Sequence, residues 1–538
     1  MNKIYTTVWC ESRQQWVVTS ELASGSGRPK LAQKKSALAL LLGAMLLPSG
    51  AVMAVNYEGV TLDGSTQNLY SGDTATSTTI NNSGRQNVSS GGSATDTRIN
   101  SGGQQFVYSG GSTTDTTVNR GGRQIISSGG IATGTTLNSA YQYVEGGTAE
   151  YTVVNGTVEQ VVIYGGSATE TILNSGGIQF ISTGTASYTT INGFGSEQHI
   201  YDGTATHTTI SGGAQGIFDG GSATSTTIKS GNQHVKSGGT AIRTTISGGS
   251  QLISGGGTAT ITTIHSGGQQ RVLTDGSATS TTISSGGSQL VSNGGRATST
   301  TIRASGVQHI LNGGSATSTS ISGGAQHVSS GGSATSTTIN GGTQHVSGTV
   351  TDTTINGGTQ QVSSGGSATS TTINSDGYQS VYGEATDTTI NSGYQFVYNN
   401  ASVISTTING GYQNVNSGGS ATDTTINSGA QAVYGGGSAT STTIKGGIQH
   451  VSGSATSTTI NGGSQAVYDR GSATSTTING GYQAVSSGGS ATLTTISSGG
   501  RQYVYNGGSA TDTTINSGGY QYVSSGGSAT DTESPRII

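Results

Sequence analysis

The chain has 538 residues, of which 93 are Gly and only 3 are Pro, and its formal net charge is −4. Charged residues make up 8% of the chain and hydrophobic residues 30%, against about 25% and about 45–50% in ordinary globular proteins. This composition disfavours an ordinary enzyme core. It also disfavours a disordered chain, because disorder usually accompanies high charge and many prolines. The negative balance offers no basic surface to a nucleic acid, so no nucleic acid partner is expected.

The first 54 residues have the features of a secretory signal peptide. A basic stretch at 28–35 precedes the apolar run SALALLLGAMLL at 36–47. This run is too short to span a bilayer stably, and the small residue Ala54 follows it. We therefore predict signal cleavage between Ala54 and Val55. A retained membrane anchor is the alternative.

Residues 1–27 extend this signal peptide beyond the usual length. The start MNKIY, Trp9 and the run WVVTSELA at 16–23 resemble the extended signal peptide region of Gram-negative type V secretion proteins. The resemblance implies export through the inner membrane, followed by autotransporter-style passage to the cell surface. Cys10, the single Cys of the chain, lies in this segment. The mature protein is therefore expected to be held together without disulfides.

Residues 55–532 consist of one repeated motif. The phrase SATSTTINGG is followed by Q-x-V and by Gly pairs. The aliphatic residue that ends the Thr-Thr-Ile phrase occurs at 25 positions from Ile80 to Ile515, and a Gln occurs at 26 positions from Gln67 to Gln521. Both markers have a mean period of about 18 residues, which predicts a repeat architecture.

Two phrases of each repeat are typical of β-strands. Thr, Ile, Val and aromatic residues favour strands, and the Gly pairs permit sharp turns between them. We predict an all-β fold, an elongated right-handed parallel β-helix with about 18 residues per turn. Because alternate side chains of a strand share a face, the aliphatic marker is predicted to point to the solenoid core. The predicted core residues include Ile80, Ile99, Ile210, Ile339, Ile426 and Ile515.

Three details of the cross-section remain open in the sequence. The Gln of Q-x-V could point inward as a stacked amide ladder, or it could lie at a corner. Ala94 and Ile99 are five residues apart, so one straight strand cannot turn both inward, and a corner is expected between them. The least regular stretch runs from Ala149 to Val162, where we expect a bulge or a small loop.

The repeat itself resembles the repeats of AIDA-type autotransporter adhesins. The phrase GGSATSTTINGG with Q-x-V matches their pattern over nearly all of residues 60–530. The resemblance implies a surface β-helix that attaches bacteria to a host-cell surface or matrix. It also implies self-association between passengers on neighbouring cells, with auto-aggregation or biofilm formation, and a heptosyltransferase that acts on Ser and Thr. No enzymatic activity and no cofactor are expected.

The last six residues, 533–538, depart from the repeat. Members of this family continue into a translocator barrel built of alternating apolar strands, and the sequence ends without such strands. We interpret the chain as a truncated passenger, or as one whose barrel lies on another chain. The expected location is the cell surface or outer membrane if a barrel is supplied, and otherwise the periplasm.

Histidines are the first candidates for a chemical site. Six of the 8 histidines occupy the middle position of Q-x-V: His199, His234, His309, His327, His345 and His450. Three of them fall in consecutive repeats and are expected about 5 Å apart, where they could bind Zn or become charged together at acid pH. The same position holds Phe, Tyr, Asn or Ala in other repeats. We therefore predict a variable outward position, with no metal site and no catalytic site.

Two further classes of function are compatible with a solenoid. Glycosidases need two acids beside one cleft, whereas acids such as Asp423 and Asp512 lie in distant repeats. Ice-binding solenoids present Thr-x-Thr on a flat sheet, and Thr95 and Thr97 have this spacing. The Ile that follows shares their face, which indicates partly buried Thr. The alternative to an adhesin is therefore a non-adhesive structural or ice-binding solenoid, or a non-functional fragment.

Overall fold

The computed structural model describes residues 5–10, 15–20 and 53–534, and it divides the chain into two units. In the first unit, Tyr5–Cys10 and Gln15–Ser20 form an antiparallel pair of strands. The basic stretch and the apolar run of the predicted signal peptide lie outside the described residues. Within the described ranges, no helix has the length and apolar character needed to cross a membrane.

The second unit is a parallel β-solenoid of about 27 turns with about 18 residues per turn, which confirms the predicted all-β fold. Each turn contains three short strands, and in one turn these are Ser93–Thr95, Arg98–Ile99 and Gln104–Val107. Each strand pairs in register with its equivalents in the neighbouring turns. We name the three resulting sheets the Ala ladder, the Ile ladder and the Gln–Val ladder, after their inward residues.

The three ladders begin at Asn56–Glu58, Thr61–Asp63 and Thr66–Leu69. Their last strands are Tyr520–Val523 and Ser528–Glu533. In several turns, two strands continue across a corner as one longer strand. These longer strands are Thr209–Phe218, Thr227–Val235, Ser320–Val328, Thr338–Val346, Ser490–Ile496 and Ser509–Ile515.

A residue in the left-handed region separates the Ala ladder from the Ile ladder, and we name this position the Ala–Ile corner. Asp96 occupies it with φ 53°, and its N–H donates to the carbonyl oxygen of Thr114 in the next turn. Asp is among the few non-Gly residues that visit this region readily. The corner interrupts the strand alternation. As a result, Ala94 and Ile99 both point inward although they are five residues apart.

Glycine occupies the corner between the Ile ladder and the Gln–Val ladder in most turns. Gly102 has φ +76°, a conformation that glycine adopts without steric cost. A β-carbon on the next residue, Gly103, would lie 2.5 Å from the carbonyl oxygen of Ile80 in the preceding turn. In this turn the backbones approach each other too closely for a side chain at position 103, whereas Ala140 and Val158 fit at the equivalent position of other turns.

The interior contains two apolar columns and one polar column. The aliphatic residues of the Ile ladder form one apolar column, and the Val and Ala residues of the other two ladders form the second. Gln and Thr side chains lie between them, as Gln105 and Thr116 do with 0% and 1% exposure. The Gln of Q-x-V therefore points inward, and the alternative of a Gln at the corner is excluded.

The inward Gln side chains form one continuous amide ladder. From Gln86 to Gln521, each Nε2 donates to Oε1 of the Gln one turn earlier, at 2.6–2.8 Å. Thr hydroxyls donate to the same oxygens, as Thr135 does to Gln124 at 3.0 Å. These bonds satisfy amides whose burial would otherwise be costly.

Candidate functional site

The predicted core residues lie along the Ile ladder. Five of the six have 0% exposure: Ile80, Ile99, Ile210, Ile339 and Ile426. Ile515 is partly buried and packs against the same column. It belongs to the last turns of the described chain, where fewer residues cover it. These residues stabilise the solenoid that carries the outer surface, and their burial makes them inaccessible to a partner.

The predicted cleavage site lies at the start of the solenoid. Ala54 and Val55 are both exposed. The backbone N–H of Val55 donates to Oδ1 of Asp73 at 2.9 Å, and the N–H of Tyr70 donates to Oδ2 of the same carboxylate at 2.8 Å. The hydrogen bonds from Tyr70 and Val55 lower the pKa of Asp73.

Aromatic side chains form stacks on the outer face of the Gln–Val ladder. Tyr378, Tyr394 and Tyr412 come from consecutive turns, with ring centroids 5.3 and 5.5 Å apart. Beside them, the rings of Tyr382 and Tyr398 are 4.3 Å apart and nearly parallel. A single repeat gives no indication of these stacks. The sequence signal for such stacks is the presence of aromatic residues at equivalent positions of successive repeats.

Three histidines occupy the same outer face. The ring centroids of His309 and His327 are 5.1 Å apart, and those of His327 and His345 are 4.8 Å apart. Burial lowers the pKa of His309, and it lowers that of His327 together with repulsion from the two neighbouring histidines. In the ranges that the structure describes, no group of three or more His, Cys, Asp or Glu residues has an arrangement suited to a metal ion.

Exposed asparagines follow the end of the Ile ladder. Nδ2 of Asn356 donates to Oδ1 of Asn340 at 2.9 Å, and the same bond links each Asn to the preceding one up to Asn427. A second run, which is half-buried, extends from Asn81 to Asn174, with bonds of 2.7–3.3 Å. Unlike the Gln ladder, these amides remain accessible to a partner on the outside of the solenoid.

Threonines and acids occupy separate positions. Thr95 is exposed, whereas Thr97 has 1% exposure, so the two do not form one flat Thr-x-Thr surface. Asp423 and Asp512 both lie at the Ala–Ile corner, with φ 55° and 54°, in turns far apart along the solenoid. No cleft brings these two carboxylates together. Within local runs of turns, polar or aromatic groups instead recur about every 4.8 Å along the solenoid.

Two family profiles match the chain. Residues 1–50 match the "Extended Signal Peptide of Type V secretion system". Residues 99–141, 255–306 and 487–534 match the family described as "Adhesin of bacterial autotransporter system, probable stalk". The first match agrees with the expected route of export. The second falls on the repeats that form the three ladders.

Similar proteins include two autotransporters. The chain is 49% identical over 88 residues to the autotransporter CRAC of Citrobacter rodentium, covering 16% of this chain and 6% of that protein. It is 42% identical over 89 residues to the autotransporter adhesin/invasin TibA of Escherichia coli O78:H11, covering 16% of this chain and 9% of that protein. The matched segments therefore span less than a tenth of either relative.

A solved structure also matches, that of a TibC-catalysed hyper-glycosylated TibA fragment. It is 41% identical and covers 53% of this chain and 94% of that fragment, with a TM-score of 0.35. The extended signal peptide, the stalk repeats and the autotransporter relatives lead to one assignment. These matches support an AIDA-type autotransporter passenger with a β-solenoid stalk.

Proposed function

We propose that this passenger attaches bacterial cells to one another and to host surfaces through many weak contacts along the solenoid. The observation that carries the proposal is the regular repetition of accessible amides and aromatic rings. The exposed Asn run that begins at Asn340 and the Tyr378 stack both repeat once per turn. The low charge of the chain, 8% of all residues, keeps repulsion between two such surfaces small.

The strength of such contacts depends on their number. One surface hydrogen bond contributes about 0.5–1.5 kcal/mol net, which cannot hold two cells together. Once one pair of turns is in contact, however, the next pair meets at a high effective concentration. About 27 turns therefore allow a large avidity without a dominant residue. The partners proposed are passengers on neighbouring cells and a host-cell surface or matrix.

Glycosylation of this surface is part of the proposal. Ser336, Ser370 and Ser441 are exposed at the Ala–Ile corner, where their hydroxyls are accessible to a glycosyltransferase. A heptosyltransferase acting at such positions would modify equivalent sites turn after turn. Mass spectrometry of the exported chain, with and without a co-expressed heptosyltransferase, tests this part. Heptose on inward Thr residues alone would contradict it.

Export precedes adhesion in this account. We propose cleavage between Ala54 and Val55, which would create a terminal ammonium at the nitrogen that now lies 2.9 Å from Oδ1 of Asp73. The lowered pKa of Asp73 keeps this carboxylate charged and able to pair with that ammonium. N-terminal sequencing of the exported chain should begin at Val55. A terminus several residues inside the first turn would contradict the proposed site.

The adhesive function can be tested with beads. Latex beads coated with the purified exported chain should aggregate with one another and bind to cultured epithelial cells. Beads coated with serum albumin at the same density serve as the control. Ice recrystallisation assays on the same protein address the alternative class of solenoid. Inhibition of ice growth without bead aggregation would favour that alternative.

A further inference from the structure

One group of turns departs from the repeat and forms a discrete cleft on the solenoid. The cleft has a volume of about 370 Å³ and is lined by Tyr151, Val153, Glu170, Ile172, Tyr188 and Thr190. Two of its lining residues, Tyr151 and Val153, belong to the stretch that the sequence marks as least regular. Unlike the surface of the proposed adhesive contacts, its combination of tyrosine and glutamate side chains does not recur among residues 53–534. Its composition points to a ligand of its own.

The walls of the cleft come from the Ala–Ile corner. Tyr151, Glu170 and Tyr188 occupy this corner in three consecutive turns, at φ 53°, 54° and 55°. Most other turns carry Ser or Asp at the same position. Successive turns are about 4.8 Å apart, so the backbones of the two tyrosines lie about 10 Å apart, with the backbone of Glu170 midway between them. This spacing leaves room for one planar group between the tyrosine rings.

A neighbouring aromatic ring packs against Tyr188, which forms one wall of the cleft. The ring of His207, in the next turn, stacks on Tyr188 with centroids 4.8 Å apart and an interplanar angle of 13°. This contact covers one face of Tyr188 and leaves its other side towards Glu170. Tyr151 and Tyr188 are 54% and 55% exposed, so neither ring is held by the core.

The floor of the cleft is apolar. Val153 and Ile172 point outward from the Ile ladder in register, where nearly every other turn has Thr. Ile172 is 37% exposed. A ligand with an aliphatic stem would cover this floor and place its polar end between the tyrosines.

The surrounding charge favours a cation. No Lys or Arg lies between Arg123 and Lys229. The same segment carries seven acids: Glu145, Glu150, Glu159, Glu170, Glu197, Asp202 and Asp219. Cations bind over tyrosine rings, and a carboxylate in the same cleft adds a charge-assisted hydrogen bond.

We propose that this cleft binds the arginine side chain of a partner polypeptide. The guanidinium would lie between Tyr151 and Tyr188 and donate to the carboxylate of Glu170, with its methylene groups on Val153 and Ile172. Arginine fits better than lysine because its guanidinium is planar, stacks on aromatic faces and presents paired donors to a carboxylate. The site goes beyond the distributed contacts of the proposed function and does not depend on them.

Binding of short peptides to the purified exported chain tests the site. The probe is acetyl-Gly-Arg-Gly-amide, compared with its citrulline and lysine counterparts and with choline, by equilibrium dialysis at low salt. The arginine peptide should saturate one site per chain and bind at least about tenfold more tightly than the neutral citrulline peptide. Equal binding of the arginine and citrulline peptides would overturn the proposal. Tighter binding of lysine or choline would overturn the assignment to a guanidinium.

Variants distinguish the cleft from the rest of the surface. Three substitutions should each weaken binding of the arginine peptide by about tenfold: Glu170→Gln, Tyr151→Ser and Tyr188→Ser. Ser is tolerated at this corner, since many native turns carry it there. Asp423→Asn changes a corner carboxylate in a distant turn and should leave binding unchanged. Unchanged binding in Glu170→Gln, or an equal loss in Asp423→Asn, would contradict the site. Circular dichroism melting of each variant confirms that the fold is retained.

Discussion

Nε2 of Gln105 donates to Oε1 of Gln86 at 2.7 Å, inside a core where both side chains have 0% exposure. Each Gln repeats this relationship with the Gln one turn earlier, so neighbouring turns must stay in one axial register. Apolar columns alone would tolerate small slips between turns. An amide ladder does not, because a slip would leave buried donors unpaired. The regular outer surface therefore depends on a polar interior.

Gln326→Leu should destabilise the solenoid locally by about 1–3 kcal/mol. The change removes the acceptor of Gln344 Nε2, which would remain buried without its partner. Hydrogen exchange of the strands Ser320–Val328 and Thr338–Val346 measures the loss. His327→Ala, on the outer face beside Gln326, is the control and should have a smaller effect. Faster exchange in the control than in Gln326→Leu would contradict the structural role of the ladder.

Ile99→Asp should destabilise its turns by several kcal/mol, because it places an unpaired carboxylate in the apolar column. Asp96→Ser, three residues away at the Ala–Ile corner, should change little, since Ser occupies this corner in many turns. Thermal unfolding of the two purified variants compares them. Similar melting of both would refute an inward Ile99.

Acid should loosen the turns that carry the histidine stack. Burial holds the pKa of His309 and of His327 below the ordinary value of 6.5. An unfolded chain takes up protons near that ordinary value, whereas the folded chain resists them. The stability of these turns is therefore complete above about pH 6.5 and decreases as the pH falls below it.

His327→Gln tests this pH dependence. Gln already occupies the equivalent position two turns later, where Gln361 pairs with His345 in the Gln–Val ladder. Hydrogen exchange of Ser320–Val328 is compared between wild type and variant at each pH from 7.5 to 5. The wild type should lose more protection than the variant, which keeps His309. Parallel behaviour of wild type and variant would exclude the histidine stack as the cause.

The sequence was sufficient for the fold because one period of about 18 residues appears in two independent markers. It also indicated a corner between Ala94 and Ile99. It left the direction of Gln105 open, since alternation pairs Gln105 with Val107 on one face but a buried amide needs partners in other turns. The Gln ladder supplies those partners only once the turns are stacked.

The cleft between Tyr151 and Tyr188 was missed for a related reason. These residues are 37 positions apart in the chain and meet only because the repeat returns to the same corner every turn. The sequence shows that this corner lacks its usual Ser or Asp in these turns. Only the stacking of the turns shows that the substituted side chains line one cleft. Aligning the repeats by their corner position would have placed Tyr151, Glu170 and Tyr188 in one column.

The central claim is that adhesion is distributed along the solenoid. The most direct measurement is the settling rate of beads coated with chains of about 25, 15 and 8 repeats, all well above the roughly three repeats that a solenoid needs to fold. The account predicts a graded decrease in aggregation with each deletion, and little effect of Asn340→Ala or His345→Ala in the longest chain. Loss of all aggregation through one such substitution, with the fold intact, would contradict the distributed mechanism and would indicate a single binding site.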